Sequence, residues 1–338
     1  MIKDVRKRRV PGIFEFYMRG YLNMKKYAVI FTLAAVLLLT GCRDSGPSKL
    51  ELARSEGIEY MDQMQYDQAI PSFDQAFSLC DEKMPQTKTD ILLYKAACQL
   101  KLEDYTSLKD TCTQILSLGE NSDAYYLRGI SFLKLSEMDA AKADFDCASD
   151  LAPKDYGMFL NIYRQYEEVN QSAVGDVYLQ KALNIPEEDT EDYYQKGCIY
   201  YYLQDYTKAQ EYLAGPVEAG HQAAAELMGQ VYLALGDAVH ARNLYQQSLE
   251  KFGETPLLYN GLVLCDLAEG AYDAALANAE TGLALEGEDG KRDLRYNVIV
   301  AYEKKLDFAA AKEKATEFME LYPDDEAGKK EYDFLITR

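Results

Sequence analysis

The sequence predicts an all-α fold built from about eight tandem helical hairpins, and two observations carry that prediction. Only nine of the 338 residues are prolines, while alanine, leucine, glutamate and lysine are common, a composition that favours helices. One pattern of large and small residues then recurs between Leu50 and Arg292 with a mean spacing of about 34.6 residues. The chain is 48% hydrophobic, which is enough apolar material for a sizeable core.

The pattern is clearest in the stretch 122–153. Its residues alternate between large and small at fixed positions and end on a proline: Tyr125, Gly129, Phe132, Ala141, Phe145, Ala148 and Pro153. Two antiparallel helices approach closely only where small residues lie between them, and large residues fill the space on either side. The proline ends the second helix. The stretch therefore reads as one helical hairpin.

The same frame starts eight times along the chain. The starts are Leu50, Thr89, Ser122, Tyr156, Thr190, Gln222, Pro256 and Arg292. Some units depart from the pattern. Tyr163, Val263 and Ile299 are large where the eighth position expects a small residue, and Asp266 stands where the eleventh expects an aromatic. We expect close packing to be weaker in these units.

Spacing and residue types together resemble the tetratricopeptide repeat over residues 49–325, and no domain boundary is evident inside that range. The resemblance implies a right-handed superhelix (a solenoid) in which the first helix of each hairpin lines a concave groove. The tail 326–338 contains Phe334, Leu335 and Ile336 and is expected to form a capping helix over the last hairpin.

The resemblance also implies which side chains face the groove, through positions 2, 5, 9, 12 and 13 of each first helix. The groove residues it assigns are Tyr126, Tyr194, Tyr201, Tyr202, Leu264 and Tyr296. Because Tyr201 and Tyr202 follow the core-filling Tyr200, the three rings cannot share one buried space, and these two lead the assignment. The alternative is that such rings pack between hairpins. The Lys/Asn/Arg clamp of some relatives is not evident, since Asn260 and Asn297 alone do not make it.

Residues 1–41 have the features of an export signal. Lys25 and Lys26 precede an apolar run of 13 residues, 27–39, which is shorter than the roughly 20 residues that span a bilayer. The following Leu39, Thr40, Gly41 and Cys42 resemble the lipobox of bacterial lipoproteins. That resemblance implies a lipid on the sulfur of Cys42, cleavage before it, and a protein anchored at the extracytoplasmic face of a membrane.

Two translation starts are open. The basic run 3–9, followed by Pro11 and Gly12, is unlike an ordinary signal-peptide start, whereas Met24 with its two lysines is typical of one. Residues 1–23 then belong either to a long charged region or to an over-extended start. In the lipidated linker 42–48, the polar residues 43–48 after Cys42 span at most about 20 Å and would hold the folded body close to the membrane.

The charge balance excludes nucleic-acid binding. Residues 1–41 hold eight basic and two acidic side chains, which leaves 28 basic and 54 acidic ones in 42–338. Phosphate binding needs clustered lysine and arginine, and the acidic body should also be repelled by anionic lipid. The charge suits a solvated surface or a basic partner.

No residue pattern predicts catalysis, a metal or a cofactor. The two histidines, His221 and His240, each follow an acid by three residues, and two ligands do not make a metal site. No nucleophile elbow or phosphate loop is present in the sequence. Of the six cysteines besides Cys42, only Cys98 and Cys112 are placed on facing helices of one hairpin, and they are the one plausible disulfide.

These features predict a monomeric, non-enzymatic scaffold of the bacterial cell envelope. It would be anchored to the membrane through Cys42 and would grip a peptide or helix of a partner protein in its groove. A second hypothesis is a ligand-capturing lipoprotein whose tyrosines stack glycans or hold peptides for uptake.

Overall fold

The computed structural model describes residues 47–337, and within this range the chain forms 17 helices and no strand. The predicted signal segment 1–41 and Cys42 lie outside the described residues. The helices form two compact units, an N-terminal unit over 47–185 and a C-terminal unit over 186–337. Their division lies between Ile185 and Pro186, inside the range where the sequence indicated no boundary.

The N-terminal unit consists of four hairpins. Its helices are α1 Lys49–Asp62, α2 Tyr66–Ser78, α3 Pro85–Lys101, α4 Tyr105–Leu118, α5 Ser122–Lys134, α6 Met138–Leu151, α7 Tyr156–Glu168 and α8 Ser172–Leu183. The C-terminal unit has four more hairpins and one further helix. Its helices are α9 Thr190–Tyr202, α10 Tyr206–Glu218, α11 Gln222–Ala234, α12 Ala238–Phe252, α13 Pro256–Glu269, α14 Tyr272–Ala284, α15 Lys291–Lys304, α16 Phe308–Leu321 and α17 Glu326–Ile336. The predicted all-α fold of tandem hairpins is confirmed.

All eight hairpins turn in the same way. At each turn one residue adopts the left-handed conformation, with φ between 56° and 82°. It is the C-cap itself in α13 and the residue after the C-cap in the other seven first helices: Met64, Glu103, Ser136, Asn170, Gln204, Gly236, Gly270 and Leu306. The next backbone N–H donates to the carbonyl five residues earlier at 2.7–3.0 Å, as Gln65 does to Tyr60. This bond pattern satisfies carbonyls that the ending helix leaves unpaired. Only two of the eight positions are glycine, so six residues hold this conformation at a cost.

Close approach within the hairpins follows a rule of complementary size. A Cβ added to Gly57 would lie 2.7 Å from the ring of Phe73, and one added to Gly129 would lie 2.6 Å from the ring of Phe145. Small residues at the eighth position therefore face large ones on the second helix. Contact of this kind allows the two backbones to approach without a void.

The irregular units reverse this arrangement. Ile299 is large at the eighth position, and the facing residues of α16, Ala311 and Ala315, are small and fully buried against it. Val263 packs in the same way against Ala275 and Ala279. The expectation of weak packing in these units is wrong, because the second helix supplies the small residue that the first lacks.

The last helix, α17, packs on α16. Its Leu335 is buried in one cluster with Ile299 and Phe318, and a Cβ added to Gly328 would lie 2.3 Å from the ring of Phe318. Asp325 caps the helix through a 2.8 Å hydrogen bond from the Gly328 N–H to its carboxylate. Within residues 47–337 no helix is both long and apolar enough to cross a bilayer.

Candidate partner-binding face

The first helices of successive hairpins contact one another within each unit, as α9 does with α11, α11 with α13 and α13 with α15. In each unit, positions 2, 5, 9, 12 and 13 of these helices form a surface, which we call the A-helix face of that unit. In the N-terminal unit, Lys134 Nζ on α5 bonds Glu168 Oε2 on α7 at 2.9 Å. The predicted groove residues all lie on this face, Tyr126 in the N-terminal unit and the other five in the C-terminal unit.

The run of three tyrosines at the end of α9 separates into different environments. Tyr200 is half-buried, with its ring 5.1 Å from that of Tyr212. Tyr201 is only 6% exposed and belongs to the core cluster of α9–α11, together with Leu213. Tyr202 is half-buried. Tyr201 therefore has little surface to offer a partner, and Tyr202 presents the more accessible ring.

The remaining predicted residues differ in accessibility. Tyr194 is 7% exposed and Leu264 is 9% exposed, so both mainly pack between helices. Tyr126 and Tyr296 are half-buried. The hydroxyl of Tyr296 donates to Glu331 Oε2 on α17 at 3.4 Å, and the Arg292 guanidinium lies 5.3 Å from its ring centroid. Much of this face is thus a packed surface between neighbouring first helices, with tyrosine edges exposed on it.

Two buried asparagines on neighbouring first helices bond to each other. Asn297 Nδ2 on α15 donates to Asn260 Oδ1 on α13 at 2.7 Å, and both side chains are buried. A buried amide needs a hydrogen-bond partner, and each of these two asparagines is a partner of the other. The pair joins consecutive first helices.

A cluster of polar side chains surrounds the start of α11. The ring of His221 lies 4.4 Å from that of Tyr194, its Nε2 is 3.1 Å from Glu191 Oε2, and its Nδ1 accepts the Ala224 N–H at 3.1 Å. Gln222 Nε2 donates to Glu226 Oε1 at 3.0 Å. His221 therefore acts as the N-cap of α11. The Glu226 carboxylate beside it is partly desolvated, and burial raises its pKa above the ordinary range.

Sequence reasoning missed Glu226 as a member of the face. It occupies the fifth position of the unit that starts at Gln222, where Tyr126 and Tyr194 stand in their own units. The signal was therefore present in the spacing. Its charge, and not its position, distinguishes Glu226 from the aromatic and apolar residues assigned to the groove.

The other residues that the sequence singled out occupy ordinary places. His240 is exposed, and its Nδ1 lies 2.6 Å from Asp237 Oδ2 of the same turn. No group of three His, Cys, Asp or Glu side chains suited to a metal occurs among residues 47–337. Cys98 and Cys112 are free, buried thiols, and burial raises the pKa of each to about 12.

Solved structures of tetratricopeptide-repeat type resemble this chain, although no protein-family model matches it. A tetratricopeptide repeat protein from Parabacteroides merdae aligns with a TM-score of 0.52 and 14% identity, over 75% of this chain and 98% of that one. The Cut9–Hcn1 hetero-tetramer of the APC/C aligns at 0.44 and 15% identity, over 93% of this chain and 75% of that one. The pilF protein of Pseudomonas aeruginosa aligns at 0.39 and 18% identity, over 64% and 97%. Of these, the first has a TM-score above 0.5 and bears on the architecture. The chain therefore has a fold of tetratricopeptide-repeat type.

Proposed function

We propose that this protein is a membrane-anchored scaffold of the bacterial cell envelope that binds a peptide or helix of a partner protein on its A-helix face. A fold of this type is suited to protein interaction, because stacked hairpins present a long surface of side chains at regular spacing. The observation that carries the proposal is the series of tyrosines on that surface, with Tyr126, Tyr202 and Tyr296 half-buried. Tyrosines with one accessible edge supply large contact area at small entropic cost.

The anchor is the second part of the proposal and rests on the sequence Leu39 to Cys42. A lipid on Cys42 would place the protein at the extracytoplasmic face. Helix α1 begins at Lys49, so about seven residues of linker connect it to the lipid and allow at most roughly 25 Å. The first hairpin would then lie near the membrane, with the protein acting as a monomer and without catalysis.

A crosslinking pull-down from membranes tests the binding role. Tyr202→Ala should lose specific protein partners that the wild type retains. Tyr193→Ala is the matched control, because Tyr193 is an exposed tyrosine at the fourth position of the same helix, with its ring against Tyr212. Equal recovery from Tyr202→Ala and the wild type would contradict the proposal. Saturable glycan binding without any protein partner would favour the ligand-capturing alternative.

Fractionation of cells tests the anchor separately. Cys42→Ser should release the protein from membranes, because the thioether cannot form on a hydroxyl. Retention of the variant on membranes after a high-salt wash would refute the lipid.

A further inference from the structure

The A-helix faces of the two units differ in how their charges are compensated. In the N-terminal unit, Arg54 bonds Asp90 on the next first helix, and Lys134 bonds Glu168 in the same way. Cations and carboxylates at these positions thus neutralise one another across neighbouring helices. At these four positions of the N-terminal face, charge is therefore paired within the protein.

The face at the start of the C-terminal unit lacks this compensation. Glu191 of α9 and Glu226 of α11 are carboxylates at the second and fifth positions, and no lysine or arginine occupies positions 2, 5, 9, 12 or 13 of either helix. Glu226 forms no ion pair, and its carboxylate accepts a hydrogen bond from the neutral amide of Gln222. Lys251 of α12 approaches Gly220, but its ammonium lies over the ring of Phe252 and pairs with neither carboxylate.

His221 does not supply the missing positive charge. Its Nδ1 accepts the backbone N–H of Ala224, so this nitrogen carries a lone pair and no proton. The proton is then on Nε2, which donates to Glu191. Both ring nitrogens of His221 are thus engaged by partners within the chain, and no hydrogen bond from the ring reaches Glu226.

Both carboxylates lie beside the residues that begin α11. Glu191 Oε2 is 3.1 Å from His221 Nε2, and Glu226 Oε1 accepts from Gln222, the residue after His221, at 3.0 Å. The ring of Tyr194 lies 4.4 Å from that of His221; burial raises the pKa of this tyrosine, and the two carboxylates raise it further. A partly desolvated carboxylate without a cation is unfavourable.

An aromatic contact lies on the same side of α9. Tyr202 follows Glu191 by eleven residues, which is a rotation of about 20° beyond three full turns and a rise of about 16 Å. About five residues of extended peptide cover that distance. One bound segment could therefore contact the carboxylates at one end and the Tyr202 ring at the other.

We propose that this part of the A-helix face binds a basic segment of the partner, with a lysine or arginine seated against Glu191 and Glu226 and an apolar residue about five positions away against Tyr202. The inference rests on the proposed scaffold function and specifies the partner's chemistry. Charge complementarity of this kind gives specificity, and acidic segments are repelled.

Fluorescence anisotropy with the full chain tests this. Three labelled 15-residue peptides share the same sequence with one leucine, except for a pair of residues five positions from it. That pair is two arginines in the first peptide, two glutamines in the second and two glutamates in the third. The arginine peptide should bind at least about tenfold more tightly than the glutamine peptide, with the advantage falling as salt is raised. Glu191→Gln/Glu226→Gln should abolish the advantage and leave the glutamine peptide unchanged.

The matched control is Asp81→Asn/Glu82→Gln, which removes two exposed carboxylates from the α2–α3 turn, and it should keep the advantage. Equal binding of all three peptides, weakened by Tyr202→Ala, would overturn the charge inference and leave the scaffold proposal standing. If the control variant lost the preference for the arginine peptide as fully as Glu191→Gln/Glu226→Gln does, the charge inference would also be overturned. The preference would then come from the net charge of the protein. Absence of binding by every peptide would count against both proposals.

Discussion

Arg242 on α12 and Asp266 on α13 form a partly buried ion pair, with Arg242 Nη2 donating to Asp266 Oδ1 at 2.7 Å. Asp266 is 1% exposed, and its second oxygen accepts from Asn278 Nδ2 on α14, also at 2.7 Å. This residue stands where the repeat pattern expects an aromatic ring. The structure explains the substitution, because the carboxylate joins three helices and each of its oxygens has a partner.

Asp266→Ala should lower the free energy of unfolding by about 2–3 kcal/mol, since it removes the acceptor that the partly buried Arg242 guanidinium shares with the Asn278 amide. Urea denaturation followed by circular dichroism measures the change. Glu269→Gln is the control, because Glu269 accepts from the same Arg242 Nη2 at 2.7 Å but from the surface. It should cost less than about 1 kcal/mol. Equal losses from the two variants would contradict the assigned role of burial.

Tyr245 lies between two glycines. Cβ atoms added to Gly229 and to Gly261 would lie 2.3 Å and 2.5 Å from its ring. Gly229→Ala should therefore destabilise the protein by about 2–3 kcal/mol, through displacement of a ring that is itself buried. The double variant Gly229→Ala/Tyr245→Leu tests the cause. Its loss of stability should be smaller than the summed losses of the two single variants. Strict additivity of the losses would show that the ring is not the source of the destabilisation.

Two substitutions in the hairpin turns should change stability in opposite directions. Leu306 is 74% exposed and holds φ at 63°, so Leu306→Gly should raise stability by up to about 1 kcal/mol, because relief of backbone strain exceeds the added entropy of the unfolded glycine. Gly236 holds φ at 82° in open space, and Gly236→Ala should lower stability by about 1 kcal/mol. Thermal midpoints report both. A decrease with Leu306→Gly would mean that the exposed leucine makes a stabilising contact.

The raised pKa of Glu226 predicts how stability depends on pH. The folded state binds this proton more tightly than the unfolded state, so the contribution of Glu226 to stability is present below the ordinary pKa of 4.5 and is lost as pH rises through the folded value. Glu226→Gln should thus raise the thermal midpoint at pH 7, and the gain should shrink as pH falls towards 4.

Glu187→Gln is the control of opposite sign for that measurement. Hydrogen bonding from Lys196, at 2.7 Å, lowers the pKa of Glu187. Its contribution is present at neutral pH and is lost as pH falls through the lowered pKa, so this variant should lower the midpoint at pH 7. If the change in thermal midpoint varied with pH in the same direction for both variants, the opposite pKa shifts assigned to Glu226 and Glu187 would be refuted.

The helical hairpins were predictable from sequence because each depends on contacts between residues close in the chain. Gly129 and Phe145 are 16 positions apart, and their sizes alone indicate where two helices can approach. Five of the eight predicted repeat starts, including Ser122 and Thr190, coincide with the first residue of a helix. The same reasoning failed for Ile299. A large residue at the eighth position predicts weak packing only if the facing residue is also large, and here the facing residue of α16 is the small Ala315.

The candidate binding face was only partly predictable. Spacing places Tyr201, Tyr202 and Glu226 on the first helices, but it does not determine how deeply each is covered by the next hairpin. Tyr201 is buried and Tyr202 is more open, although they are neighbours, because successive residues on a helix point about 100° apart. That difference depends on the position of α11, which contacts α9 from another part of the chain.

The sequence by itself determined the helical class, the period of the hairpins and the acidic charge of the body, since local periodicity and composition carry this information. Only the tertiary structure decided which polar groups meet. It brings Asp266 to Arg242, Asn260 to Asn297 and His221 to Glu191, pairs separated by 24, 37 and 30 positions. Such pairings arise when neighbouring hairpins stack, and each fixes whether a side chain is neutralised in the core or left charged at the surface.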